Sequence, residues 1–179
     1  MARVALLYGT SEGQTARVIE RMAGVLDATG HDPTVLHAAH LPTGFSLDDY
    51  GAAVVGASVH AGSHQRYVRR FVVDHVEALN RLPSAFVSVS LTAAEEDEDA
   101  RAPARDLLEA FLDGTGWKPD ATATVPGALR YSEYGPLKRF VMKRIAKRSG
   151  GGTDTSRDYE YTDWGKVEAF AADFADDLP

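Results

Sequence analysis

Short, unbroken apolar runs alternate with stretches of helical periodicity along this chain, and few architectures accept that pattern. Val4-Ala5-Leu6-Leu7, Ala52-Ala53-Val54-Val55-Gly56-Ala57 and Ala85-Phe86-Val87-Ser88-Val89-Ser90-Leu91 lack the in-and-out alternation of a strand with one wet face. They read as strands covered on both sides, as in the centre of a parallel sheet. Residues 32–36 and a run from Ala121 toward Leu129 supply two more. Between them, residues 13–29 place Ala16, Ile19, Met22, Ala23 and Leu26 at helical spacing, stopped by Gly30. Residues 65–80 do the same with Val68, Phe71, Val72, Val76 and Leu79, broken by Pro83. A third helix is predicted over 103–112, closed by Gly114 and Gly116. The last starts at Asp163, with Trp164, Val167, Phe170, Ala171 and Phe174 on its buried stripe.

Five strands alternating with helices predict an α/β fold with a doubly wound parallel five-stranded sheet. Right-handed crossovers leave few strand orders, and the flavodoxin-like 2-1-3-4-5 places the loops after strands one, three and four at one edge. Residues 1–179 then form one domain, and residues 131–159 are a basic amphipathic helical insert before the last helix. That segment is too long for a simple connection in a compact domain.

The loop after the first strand, Tyr8-Gly9-Thr10-Ser11-Glu12-Gly13-Gln14-Thr15, carries the chemistry. The first N–H groups of a helix have no internal partner, and the helix dipole adds partial positive charge there. Thr10, Ser11 and Thr15 add hydroxyls, and Gly13 lets an oxygen approach the backbone. No lysine or arginine lies inside the loop, so it is not a triphosphate P-loop, and the Gly-x-Gly-x-x-Gly fingerprint is absent. Two readings remain. One is a neutral cradle for a terminal phosphate, as in an FMN site. The other is an ordinary strand-to-helix turn with Thr10 or Ser11 as N-cap.

Composition narrows the context. Apolar residues make up 44% and charged residues 25%, with no cysteine, which excludes disulfides, thiolate zinc sites and iron–sulfur clusters. No apolar run approaches the length of a membrane span, and the first residues do not read as a secretory signal. A cytoplasmic location follows. The net charge of −7 conceals an island. From residue 130 to 148 there are seven basic residues, Arg130, Lys138, Arg139, Lys143, Arg144, Lys147 and Arg148, against the single acid Glu133. A basic island on an acidic body implies an anionic partner at that place.

Several blocks taken together resemble one family. They are Gly13-Gln14-Thr15, Val55-Gly56-Ala57-Ser58, Pro83-Ser84-Ala85-Phe86-Val87-Ser88-Val89, Pro126-Gly127-Ala128-Leu129-Arg130-Tyr131, Ser149-Gly150-Gly151-Gly152-Thr153-Asp154-Thr155 and Tyr161-Thr162-Asp163-Trp164. In this they resemble the flavodoxin-like protoporphyrinogen IX dehydrogenase (quinone), also called menaquinone-dependent protoporphyrinogen oxidase. The resemblance implies FMN as cofactor and six-electron oxidation of protoporphyrinogen IX late in haem synthesis. It also implies menaquinone or another quinone as acceptor, and a peripheral position on the cytoplasmic face of the cell membrane. One loop departs from it, the acidic run Glu95-Glu96-Asp97-Glu98-Asp99 after the fourth strand, where a tetrapyrrole's propionates would not be welcome.

The same resemblance assigns the cofactor residues. Thr10, Ser11, Glu12, Gly13, Gln14 and Thr15 would hold the phosphate, with the Glu12 side chain turned to solvent. Ser58, Val59, His60, Ala61 and Gly62, with Ser90, Leu91, Thr92 and Ala93, would border the flavin ring. No Trp or Tyr follows the third strand before Tyr67, which leaves one ring face open to a flat substrate or quinone. No catalytic base stands out, and His60 is the least poor candidate. No metal site is expected, since His60 and His64 lack a nearby carboxylate.

In the insert, Leu137, Phe140, Val141 and Ile145 share a helix face, and Arg130, Lys138, Arg139, Lys143, Arg144, Lys147 and Arg148 surround it. That is the pattern of a helix on an anionic membrane or at a substrate channel. A helix packed on the acidic body, its charges paired internally, is the alternative. Nucleic acid is a poor partner, for no aromatic platform accompanies the charges. A homo-oligomer is compatible with all of this. Two other functions compete: a flavodoxin-type electron carrier, and a flavin:quinone oxidoreductase fed by NAD(P)H.

Overall fold

The structure, a computed structural model, describes residues 1–133, 135–148 and 151–179, apart from the side chains of Glu133 and Leu137. Ser149 and Gly150 of the glycine-rich block, and the Leu137 side chain of the expected apolar face, therefore lie outside the described residues. In chain order the elements are β1 (Arg3–Gly9), α1 (Gln14–Ala28), β2 (Asp32–His37), β3 (Ala52–His60), β4 (Ser63–His64), α2 (Arg66–Asp74), α3 (Val76–Leu79), β5 (Ser84–Ser90), α4 (Glu98–Thr115), β6 (Ala121–Pro126), β7 (Ala128–Leu129), α5 (Pro136–Arg148), β8 (Tyr159–Glu160) and α6 (Trp164–Asp176).

Successive strand side chains enter opposite apolar layers, which is why the runs carry no polar alternation. Val4, Leu6, Val54, Val87 and Val89 pack against Ile19, Met22 and Leu26 of α1 and Ala171 and Phe174 of α6. Ala5, Leu7, Val55 and Phe86 face the other way, against Val68, Phe71, Leu108 and Phe111 of α2 and α4. Each fully buried Val, Leu or Phe contributes about 1.5–3 kcal/mol by leaving water. The parallel strands lie in the order β2-β1-β3-β5-β6, the expected 2-1-3-4-5. In register, Leu6 pairs with Val35 and Val54, and Phe86 with Val55 and Thr122.

Several boundaries differ from the sequence reading. The helix expected over 65–80 is two, since the His75 imidazole bonds the Phe71 carbonyl (2.8 Å) and the backbone bends there. The α4 helix starts at Glu98 instead of Pro103. Asp97 caps it by accepting from the Asp99 N–H (3.1 Å), and Glu98 and Asp99 sit in its first turn, where the dipole favours acids. The acidic run is thus largely a helix start. The fifth strand stops at Pro126, whose missing N–H cannot continue a ladder. Ala128 and Leu129 instead pair antiparallel with β8, Leu129 facing Tyr159.

Candidate functional site

The carboxyl ends of β1, β3 and β5 open onto a cleft of about 540 Å³. Its first wall is the turn between β1 and α1. Gly13 holds φ at 87°, a left-handed conformation, and caps α1 with no side chain. Thr10 Oγ1 accepts the Gly13 N–H at 2.8 Å. The alternative that Thr10 or Ser11 is the N-cap is therefore corrected: Thr10 closes the turn, and glycine caps the helix. The first intrahelical bond runs from the Arg17 N–H to the Gly13 carbonyl, so the N–H groups of Gln14, Thr15 and Ala16 have no acceptor within the helix. Thr15 Oγ1 is fully buried in this wall and has no hydrogen-bond partner among the described residues. A buried orphan hydroxyl beside unsatisfied helix N–H groups fits an anion's oxygens.

Glu12 does not turn to solvent. Its Oε1 lies 3.0 Å from Lys138 Nζ on α5, and the pairing draws the carboxylate across the cleft. The helix with the basic island thereby becomes a wall of the same cleft, through Lys138, Val141, Met142 and Ile145.

The second wall was expected as a loop and is a hairpin. The β3 strand continues to His60, and Ala61 (φ 49°) and Gly62 (φ 77°) turn it into β4. Positive φ at both central residues suits the twist of a two-residue hairpin. Ser58, Val59, His60, Ala61 and Gly62 all line the cleft. His60 and His64 occupy neighbouring pairs of the hairpin, so their side chains leave opposite faces. His64 is buried between Phe86 and Phe111 with a ring nitrogen 2.8 Å from Ser88 Oγ. Burial lowers its pKa to about 4.

Ser90, Leu91 and Thr92 complete the rim with Gly127 and Ala128. Ala93 does not join it, because its N–H is drawn back to Ser90 Oγ (3.2 Å) and its side chain is buried. Glu95, Glu96 and Glu98 line a separate groove beside β6, away from the cleft.

The basic residues divide. Arg130 turns inward, donating to Gln14 Oε1 (3.1 Å), and Arg139 Nε donates to the Tyr131 carbonyl (3.2 Å). Lys143, Arg144, Lys147 and Arg148 are exposed. So are Phe140 (59%), Val141 (46%) and Ile145 (46%), while Ala146 is buried and, with Met142, packs on Leu129 and Tyr131. The segment after α5 is tied down by tyrosines. Tyr131 donates to the Gly152 carbonyl, and the Gly152 N–H donates to Tyr161, both at 2.7 Å. Burial pushes the Tyr131 phenol up, so it remains a donor at neutral pH.

Two residues that the sequence reading passes over, Gln65 and Tyr67, reach the turn from the start of α2. Their partners lie 54 and 57 residues away in the chain, and no local pattern marks them.

A cleft at the strand ends where the order reverses between β1 and β3 defines a doubly wound α/β protein with a mononucleotide-type site. Residues 5–156 match the flavodoxin domain family. The chain is 36% identical over 173 residues to protoporphyrinogen IX dehydrogenase (quinone) of Escherichia coli (strain K12), covering 95% of this chain and 93% of that protein. It is 33% identical over 171 residues to the Leishmania major protein of the same name, covering 95% and 73%. Oxidised flavodoxin 1 from Bacillus cereus shares the fold, with a TM-score of 0.60 at 16% identity over 99% of each chain. This chain belongs to the flavodoxin-domain oxidoreductase family that includes the protoporphyrinogen IX dehydrogenases (quinone).

Proposed function

We propose that this chain holds FMN in the cleft, oxidises protoporphyrinogen IX to protoporphyrin IX and delivers the electrons to a membrane quinone. The reading is carried by the 36% identity to the E. coli dehydrogenase over nearly the full length of both chains. The cleft fits it, since the orphan Thr15 hydroxyl and the free N–H groups of α1 match a phosphate without a lysine. Bound flavin would supply the two-electron acceptor chemistry, so six electrons leave the porphyrinogen in three turnovers and reduce three quinones.

The chain's own residues would then do the following. The turn at residues 10–15 receives the phosphate, while Ser58 to Gly62 and Ser90 to Thr92 border the ring. Val59, Leu91, Val141, Met142 and Ile145 give the cleft an apolar lining that excludes water and suits a flat macrocycle. His60 is the imidazole of that lining, and we assign it the proton released from the macrocycle. Glu95, Glu96 and Glu98 line another groove, so the acidic run does not face the propionates. No helix among the described residues is long and apolar enough to cross a membrane. The exposed Phe140, beside Lys143, Arg144, Lys147 and Arg148, suits a peripheral position on an anionic cytoplasmic membrane face.

The test is anaerobic mixing of the purified protein with protoporphyrinogen and a menaquinone analogue. Porphyrin fluorescence should rise at a rate that depends on FMN. Absence of porphyrin while the flavin cycles with reductases would instead make the chain an electron carrier. Bleaching by NAD(P)H alone would point to a reductase.

A further inference from the structure

We propose that Gln65 and Tyr67, at the start of α2, are positioning residues that hold the turn at residues 10–15 in its phosphate-receiving shape, and that through them the site prefers FMN to riboflavin. The inference rests on the FMN reading above.

The turn cannot set its own geometry. Beyond the bond from the Gly13 N–H to Thr10 Oγ1, Glu12 and Gln14 are held by Lys138, Arg130 and Thr162, while Thr10 and Ser11 are held from α2. Gln65 Oε1 accepts the Ser58 N–H at 3.1 Å. A backbone N–H only donates, so the amide's orientation is settled and its Nε2 faces the hydroxyls of Ser11 (3.2 Å) and Ser58. Ser11 Oγ accepts there and keeps its own proton to donate into the cleft it lines. One amide thus ties the phosphate turn to the hairpin that borders the ring.

Tyr67 acts on the turn alone. Its phenol accepts the Thr10 N–H at 3.1 Å and faces the Thr10 carbonyl at 3.4 Å. The N–H of Thr10 is therefore spent on α2, and the donors left to an anion are the hydroxyls and the first N–H groups of α1. The ring of Tyr67 is held by stacking on His37 at 5.4 Å, and burial raises its phenol pKa, which keeps it protonated. Gly9, at the end of β1, allows this approach. A Cβ there would overlap Val68 Cγ2 and stand 3.1 Å from the Tyr67 ring.

Riboflavin carries the ring without the phosphate, so the two ligands separate the turn from the rest of the cleft. The full-length chain, stripped of flavin, is titrated with each by fluorescence quenching, as wild type and as Tyr67→Phe. The ring-bordering contacts survive in that variant, and the phenol's bond from the Thr10 N–H is lost with its longer one to the Thr10 carbonyl. We expect FMN affinity to fall about three- to tenfold while riboflavin affinity holds within twofold. The melting midpoint of the stripped variant should stay near that of wild type. Gln65→Glu keeps an acceptor for the Ser58 N–H but turns the Ser11 hydroxyl toward itself, and it should lower the FMN-to-riboflavin ratio further. Equal losses for both ligands, or an unchanged or raised ratio in Tyr67→Phe, would overturn the proposal. A wild-type chain that takes up riboflavin but shows no preference for FMN would overturn the phosphate reading beneath it.

Discussion

The two long walls of the cleft are built differently. The turn at residues 10–15 is held by the Gly13–Thr10 bond within itself and by Gln65 and Tyr67 from α2, with Gln65 also bonded to Ser58 at the end of β3. The α5 wall buries Ala146, clips to the turn through Glu12 and Lys138, and leaves Phe140 in solvent, with Val141 and Ile145 half-exposed over the cleft. A phosphate site gains from arriving preorganised, because ordering it on binding would cost affinity. The α5 wall, proposed above to meet a bulky macrocycle and a lipid surface, would gain from staying adaptable. The division of labour follows from where the buried hydrogen bonds are placed.

The contrast can be broken at three places, in falling order of effect. Replacing Lys143, Arg144, Lys147 and Arg148 with Gln should reduce binding to phosphatidylserine vesicles by on the order of 100- to 1000-fold, at about 1 kcal/mol per basic residue. Sedimentation with vesicles measures it, and flavin retention should not change. Unchanged partitioning would assign those charges to something other than a membrane.

The second concerns His64 beneath the hairpin. Its folded pKa of about 4 lies below the unfolded value, so the unfolded chain binds more protons between the two. The associated stability is fully present above about pH 6.5 and is lost as pH falls toward 4, by up to roughly 3 kcal/mol. Urea unfolding across that range should show the loss, and His64→Gln should flatten most of it. A flat wild-type profile would mean that the hairpin is not locked to the core through this side chain.

The third is Gly13→Ala. A Cβ there meets nothing within 4 Å, so any cost comes from φ alone. A left-handed alanine costs about 1 kcal/mol, which a preorganised turn carries before any ligand arrives, so urea unfolding of the stripped variant should show about that loss of stability while FMN affinity holds within twofold. No change would show that the turn is looser than its hydrogen bonds imply.

The five-strand order and the three cleft-forming loops were legible because they rest on local signals. These were unbroken apolar runs, helical periodicity, and hydroxyls next to Gly13. What escaped depends on distance or on backbone compromise. Gln65 and Tyr67 look like ordinary polar and aromatic positions opening a helix, and only the fold brings them to Ser11 and Thr10. The start of α4 was hidden because Asp97, Glu98 and Asp99 read equally as a solvated loop or as an acidic first turn. The hairpin at Ala61 was missed because alanine at φ 49° is a poor advertisement for a turn. Glu12 was misread for want of its partner, since Lys138 is 126 residues away in the chain.

The antiparallel pairing of Ala128–Leu129 with Tyr159–Glu160 has a consequence for how such a chain changes over time. The excursion carrying α5 departs and returns at a single gate, so its length can drift at small entropic cost while the sheet's register stays put. Lineages could therefore trade one excursion for another like interchangeable nozzles, redirecting the same core to new surroundings.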